Sequence, residues 1–329
     1  MGQHDGDGDG DEHAPGRFPT PGQDLALARR ALDEGDIKHA AHHVACALGE
    51  DANDDDALAF ADDLLSRVDD PLALASLGDG EASYAIVAFR GLVLARLGEL
   101  AEAIDLVLQV VAVRPDVDYM AWVERWTRDD RALVGIDPIR LASSVKRLAD
   151  GLLSSPSAAP YTNATFDRVH DWLVELRARL PADSALAMMH AIMLRRAGRL
   201  EDALGVARAA HTAGPDYRTA IAVAGACRAL RDLDGAVAAF EDASRFDPTD
   251  VAAILDVGDI RLEQARFDDA LAAYHRALEL EPDNAWAVPS ALYAEVRLGR
   301  PDARAKLHAY AARNPGNQRA AELLGELSQ

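Results

Sequence analysis

The sequence predicts an all-α protein, a solenoid of tandem helical hairpins, and three observations carry that reading. Prolines recur at 215, 248, 282 and 315, in steps of 33, 34 and 33 residues. Between them, apolar residues recur at three- and four-residue steps, which puts one apolar stripe on each helix. Small residues such as Gly258 and Ala270 fall where two helices must cross and a larger side chain would hold the backbones apart. One hairpin of this size cannot cover its own outer stripe, so each implies neighbours on both sides.

The stretch 251–284 shows the unit most plainly. It reads Ile254-x2-Val257-Gly258-x2-Arg261, then Phe267, then Ala270-x3-Tyr274-x2-Ala277, then Pro282. Gln264–Arg266 breaks the first helix, and Asp268 and Asp269 put negative charge on the first turn of the second, where the helix dipole favours it. Pro282 stops that helix and pushes its predecessor toward an extended conformation. This spacing resembles the 34-residue tetratricopeptide repeat. The resemblance is strong over 184–317 and loose over 117–181.

Taken in order, residues 1–20 are rich in Gly, Asp and Pro and are expected to be a disordered acidic tail. The run Asp5-Gly-Asp7-Gly-Asp9-Gly10-Asp11 fails as a calcium loop because its twelfth position is Gly16 and not Glu. Residues 21–116 form an N-terminal repeat-like region. It holds a hairpin marked by Leu27, Gly35, Ile37, Ala40, Val44 and Ala47, and an added amphipathic helix over Asp56–Val68. A short helix at 71–77 and a turn at Gly78-Asp79-Gly80 lead to a second hairpin with Gly91, Gly98, Ala103, Val107 and Pro115. His39, His42 and His43 lie on the second helix of the first hairpin. His39 and His43 are one turn apart, but the places face outward and no third metal ligand has suitable spacing.

The period fails over 117–182, an irregular helical segment. Tyr119, Trp122 and Trp126 crowd one helix, and Asp137-Pro138 is a cap-and-first-position pair for a second helix reaching Leu153. Ser154–Thr162 reads as a loop and Ala164–Leu180 as a third helix holding Trp172. Pro181 precedes Pro215 by 34 residues, so the last two helices read as one repeat with a lengthened turn. Asn163-Ala-Thr165 is a helix start rather than a glycosylation site. Residues 183–317 hold four tandem repeats. Pro289 falls inside the first helix of the last one, which should be kinked or start late. Residues 318–329 form a capping helix with Leu323, Leu324 and Leu327 on one face.

The net charge of −21 is unevenly placed: residues 1–82 carry 20 acidic against 5 basic side chains, and 83–329 carry 35 against 29. That balance disfavours nucleic acid and anionic membrane and suits a partner of basic character. There is no long apolar run and no basic-then-apolar leader, so a cytoplasmic protein is expected. Cys46 and Cys227 fall on helices and read as small buried apolar residues of a reducing compartment. No catalytic, nucleotide or metal motif emerges, so neither an enzyme nor a cofactor is expected. The many acids read as helix ends or local pairs, for instance Glu241 with Arg245.

The resemblance implies a right-handed superhelix whose concave surface, lined by each repeat's first helix, holds a segment of another protein. Carried over by position, that groove holds Arg218, Arg228, Leu255, Asp256, Asp259, Leu262, Glu263, Trp286, Tyr293 and Arg297. Mixed in sign with an aromatic end, it suits a peptide with both charge and an apolar anchor. The co-chaperones of the family clamp a terminal carboxylate, but here the sixth groove places hold Ala222 and Asp256, so that binding is not expected. Tyr119, Trp122 and Trp126 are a second candidate contact. The function expected is a non-enzymatic interaction scaffold. The alternatives are a regulator that changes superhelical shape on binding a peptide, and an enzyme or accessory subunit using the 117–181 insert.

Overall fold

The computed structural model describes residues 22–75, 83–156, 158–180 and 183–328. The acidic tail at 1–20, the Gly78–Gly80 turn and Pro181 lie outside the described residues. Nineteen helices and no strand occur among the described residues. They fall into two compact units, Met1–Trp126 and Thr127–Gln329.

In the first unit, α1 (Gln23–Asp33) and α2 (Ile37–Glu50) form a hairpin, as do α5 (Tyr84–Arg96) and α6 (Leu100–Val113). Helix α2 lies against α5, joining the two hairpins, and the approach is close: a Cβ on Gly49 would stand 2.7 Å from that of Ala85. Helix α3 (Asp55–Ser66) packs on α2, α4 (Pro71–Ala75) on α5 and α7 (Met120–Trp126) on α6.

The second unit opens with α8 (Asp130–Leu133), α9 (Pro138–Ser154) and α10 (Thr162–Arg179). Asp137 caps α9 by accepting the Ile139 N–H at 3.0 Å, with Pro138 at the first helical position. Four hairpins follow: α11 (Ser184–Arg196) with α12 (Leu200–Ala213), α13 (Tyr217–Ala229) with α14 (Leu233–Phe246), α15 (Val251–Glu263) with α16 (Phe267–Leu280), and α17 (Ala287–Arg297) with α18 (Ala303–Arg313). Helix α19 (Gln318–Glu326) packs on α17 and α18. The second helix of each hairpin lies against the first helix of the next, so each apolar flank is covered in turn. Helix α17 begins late, at Ala287, which leaves Pro289 in the first turn where its missing N–H has no intrahelical partner to lose.

One row of alanines sets the hairpin geometry. Ala40, Ala103, Ala203, Ala236, Ala270 and Ala303 stand at the same place in six second helices, and each is fully buried at the crossing. The facing helix is as spare: a Cβ on Gly258 would stand 2.6 Å from the ring of Tyr274, and one on Gly91 2.8 Å from Val107. In α10 the equivalent place, 34 residues before Ala203, holds the fully buried Val169. There the hairpin opens: α9 stacks on α11 as a first helix should, but touches α10 little.

The turn inside each hairpin needs a left-handed residue. Gly35, Gly98, Gly198 and Gly299 supply it with φ between 71° and 89°. At the same place two repeats use residues that carry a Cβ, Arg231 at φ 64° and Ala265 at φ 57°.

Candidate peptide-binding face of the second unit

The first helices α11, α13, α15 and α17 present side chains that reach from one repeat to the next. Between α11 and α13 the backbones are close, because Gly225 leaves room for the Arg195 guanidinium to lie where its Cβ would be. Helices α13 and α15 touch little directly and are joined by long side chains instead. Tyr217 donates its hydroxyl to Asp250, Arg228 pairs with Asp256 at 2.7 Å, and Arg231 pairs with Glu263. Burial raises the Asp256 carboxyl above the usual range, and the positive charge of Arg228 offsets this only in part.

Toward α17 the centre of the arrangement is Asp259. Its carboxylate accepts the Tyr274 hydroxyl at 2.6 Å, the Trp286 indole N–H at 3.0 Å and an Arg319 N–H at 3.0 Å. Arg319 also lies over the Trp286 ring, its Cζ 4.5 Å from the centroid. Burial, followed by the Asp259 charge and hydrogen bond, pushes the Tyr274 phenol far up, so it stays a donor. Beside it, Arg297 donates to the Tyr293 hydroxyl at 2.7 Å and stacks on Phe267 at 4.5 Å.

The groove positions expected from the sequence therefore divide by what they already touch. Arg218 and Arg297 are exposed, as is Glu263, and Trp286 keeps 40% of its surface in solvent. Leu255 and Leu262 are half-buried against the core around Ile254 and Tyr274. Tyr293 is buried against Leu307 and Leu323, and Asp259 is enclosed by its three donors. Arg195, Gly225, Arg231 and Arg319 belong to the same face and were not among the expected positions. For Arg195 a signal was available: α11 and α13 carry Arg195, Arg196, Arg218 and Arg228 and no Asp or Glu.

In the first unit, two of the three clustered aromatics are spent on packing. Tyr119 and Trp122 are buried, edge to face at 5.1 Å, and Trp122 donates its N–H to the Ala52 carbonyl at 2.7 Å. Trp126 is half-buried, its ring 6.0 Å from that of Trp122. Two closed rings offer a partner no surface, and the hydroxyl of Tyr119 is buried without a hydrogen-bond partner among the described residues.

Other titratable groups pair locally. His39 bonds to Asp36, and His43, half-buried rather than outward-facing, reaches the buried Asp24 at 2.8 Å. Arg245 turns to Asp242 and not to the Glu241 carboxylate, meeting only the backbone carbonyl of Glu241. Burial pushes the half-buried Cys46 thiol up to about 11 and raises the buried Cys227 as well. His190 is fully buried, with Nε2 2.9 Å from His170 Nδ1 and Nδ1 3.4 Å from Arg177. Burial first, and the Arg177 charge second, hold it at about 3, so it stays neutral. No group of three or more His, Cys, Asp or Glu among the described residues is placed to hold a metal ion. None of the described helices is long and apolar enough to cross a membrane.

Six second helices share a buried alanine at the crossing, six turns share a left-handed residue, and four of those second helices cover the next first helix. The described residues form an array of helical hairpins with the fold of tetratricopeptide repeats. Among solved structures it is similar to the MamA protein, at 14% identity over 58% of this chain and 94% of that one, with a TM-score of 0.40. It is also similar to YrrB, described as a tetratricopeptide-repeat protein with an unusual peptide-binding site, at 15% identity over 55% of this chain and 90% of that one, with a TM-score of 0.41. No family model and no curated relative matches the chain.

Proposed function

We propose that the protein is a non-enzymatic, cytoplasmic interaction scaffold that holds a segment of another protein on the first-helix face of its second unit. The observation that carries this reading is the lateral wiring of that face. Tyr217–Asp250, Arg228–Asp256, Arg231–Glu263 and Asp259–Trp286 each tie one first helix to the next repeat. Such ties fix exposed groups before a partner arrives, so little ordering cost is left for binding. The half-exposed Trp286 and the half-buried Leu255 and Leu262 supply apolar anchors among these charges. The most strongly perturbed histidine of this unit, His190, is locked between His170 and Arg177 rather than presented to a substrate, which also favours binding over catalysis.

The test reverses charges that the face holds in solvent. A triple variant, Arg218→Glu, Glu263→Arg and Arg297→Glu, should retain its helical circular dichroism and lose the partners that the wild-type chain captures from its native cell extract. Capture of the same partners at the same yield by the folded variant would refute the assignment of the face.

A further inference from the structure

The first-helix face has an unbalanced end. In a chain of net charge −21, the helices α11 and α13 carry four arginines and no acid. Arg196 is paired with Asp150, and Arg228 with Asp256 at 2.7 Å. Arg195 has no carboxylate partner among the described residues. Its guanidinium is half-buried over Gly225, in a space that exists only because residue 225 lacks a side chain. Burial first, and the like charge of Arg228 second, push Arg195 below the ordinary guanidinium range. Arg228 already holds its carboxylate partner, Asp256, whose own carboxyl is raised by burial. The Arg228–Asp256 pair and the Arg195 guanidinium, which has no acid of its own, thus lie on a surface that Gly225 leaves clear of a side chain. A carboxylate brought from outside would meet two charged donors there and relieve their repulsion.

We propose that the surface formed by Arg195, Gly225 and Arg228 is the docking place for an acidic side chain of the bound segment, so that the partner presents a Glu- or Asp-bearing peptide to this end of the face. The inference rests on the scaffold reading above and gives that face its ligand chemistry. It also reverses the expectation, drawn from total charge alone, of a basic partner. The local balance of charge governs contact at short range, whereas the summed charge acts on approach and is screened within about a Debye length of 8–10 Å.

The full-length chain is titrated, by fluorescence anisotropy, with a labelled peptide of four tandem Glu-Glu-Leu triplets and with its Gln-Gln-Leu and Lys-Lys-Leu counterparts. The acidic peptide should bind at least tenfold more tightly than either counterpart and weaken as salt rises from about 0.1 to 0.5 M. Arg195→Gln and Arg228→Gln should each weaken it by about tenfold. Gly225→Ala, which displaces the Arg195 guanidinium and leaves every charge in place, should weaken it as well. Binding of the acidic peptide no tighter than the lysine peptide would overturn the proposal. So would full affinity in Arg195→Gln and Gly225→Ala variants of unchanged circular dichroism. Should the charge-reversed face lose its cellular partners while the acidic peptide fails to bind, the scaffold reading stands and this inference alone is lost.

Discussion

Trp286 donates its indole N–H to the carboxylate of Asp259, 3.0 Å away in the preceding repeat. The same carboxylate serves the buried Tyr274 hydroxyl and Arg319, and the two ion-paired side chains, Asp259 and Arg319, are only 17% and 16% exposed. Truncating Asp259 leaves three donors without an acceptor. Asp259→Ala should therefore cost about 2–4 kcal/mol in urea unfolding. Glu263→Ala breaks the far more exposed pair with Arg231 and should cost no more than about 1 kcal/mol.

The alanine row makes a second prediction. Ala270 is fully buried at the α15–α16 crossing, and Ala272, two residues on, is exposed. Ala270→Val should destabilise the protein by about 1–3 kcal/mol, because the crossing must open or the valine must leave its rotamer. Ala272→Val should stay within about 0.5 kcal/mol. Equal shifts in the urea midpoint for the two variants would show that the crossing is not the constraint.

At the turns, Ala265 holds φ 57° where four other hairpins use glycine. Ala265→Gly should raise stability by about 0.5–1 kcal/mol, the relief of left-handed strain less the added freedom of the unfolded chain. Gly198→Ala, at the matching turn, should lower it. Thermal unfolding of the pair decides the sign.

His190 predicts an acid limb in the stability curve. Its folded-state value is depressed from 6.5 to about 3 by burial, so below 6.5 the unfolded chain takes up a proton that the folded one refuses. The contribution is fully present above 6.5 and is lost as pH falls toward 3, at about 1.4 kcal/mol per pH unit. Between pH 6.5 and 5 this is a loss of roughly 2 kcal/mol, which His190→Gln should remove. Urea midpoints at the two pH values, for both proteins, measure it.

Most of the architecture was legible in the sequence because it rests on local rules. The prolines ended second helices, Asp137 and Pro138 opened α9, and Pro289 delayed α17. The open α9–α10 hairpin was harder to read: the one departure from the alanine row, Val169, stands out only once six alanines are aligned with it. The face was read less completely. Positional carry-over placed Asp259 among the partner contacts, yet its three hydrogen bonds come from residues 15, 27 and 60 positions away, which no local pattern announces. Arg195 was missed for a related reason: its setting depends on the absence of a side chain at Gly225, 30 residues along in the next repeat. Tyr119 and Trp122 were correctly seen as clustered, but clustering alone does not distinguish rings that fill a core from rings that greet a ligand.

Arg319 stands on α19 and Asp259 on α15, so their bond skips the whole α17–α18 hairpin. In an ideal linear array, energy is shared only between adjacent units, and the last ones fray independently. A strut across two intervals should couple the melting of the units it joins. A protease cut in the loop before α19 should consequently be felt at Tyr274, well inside the array, as faster amide exchange along α16.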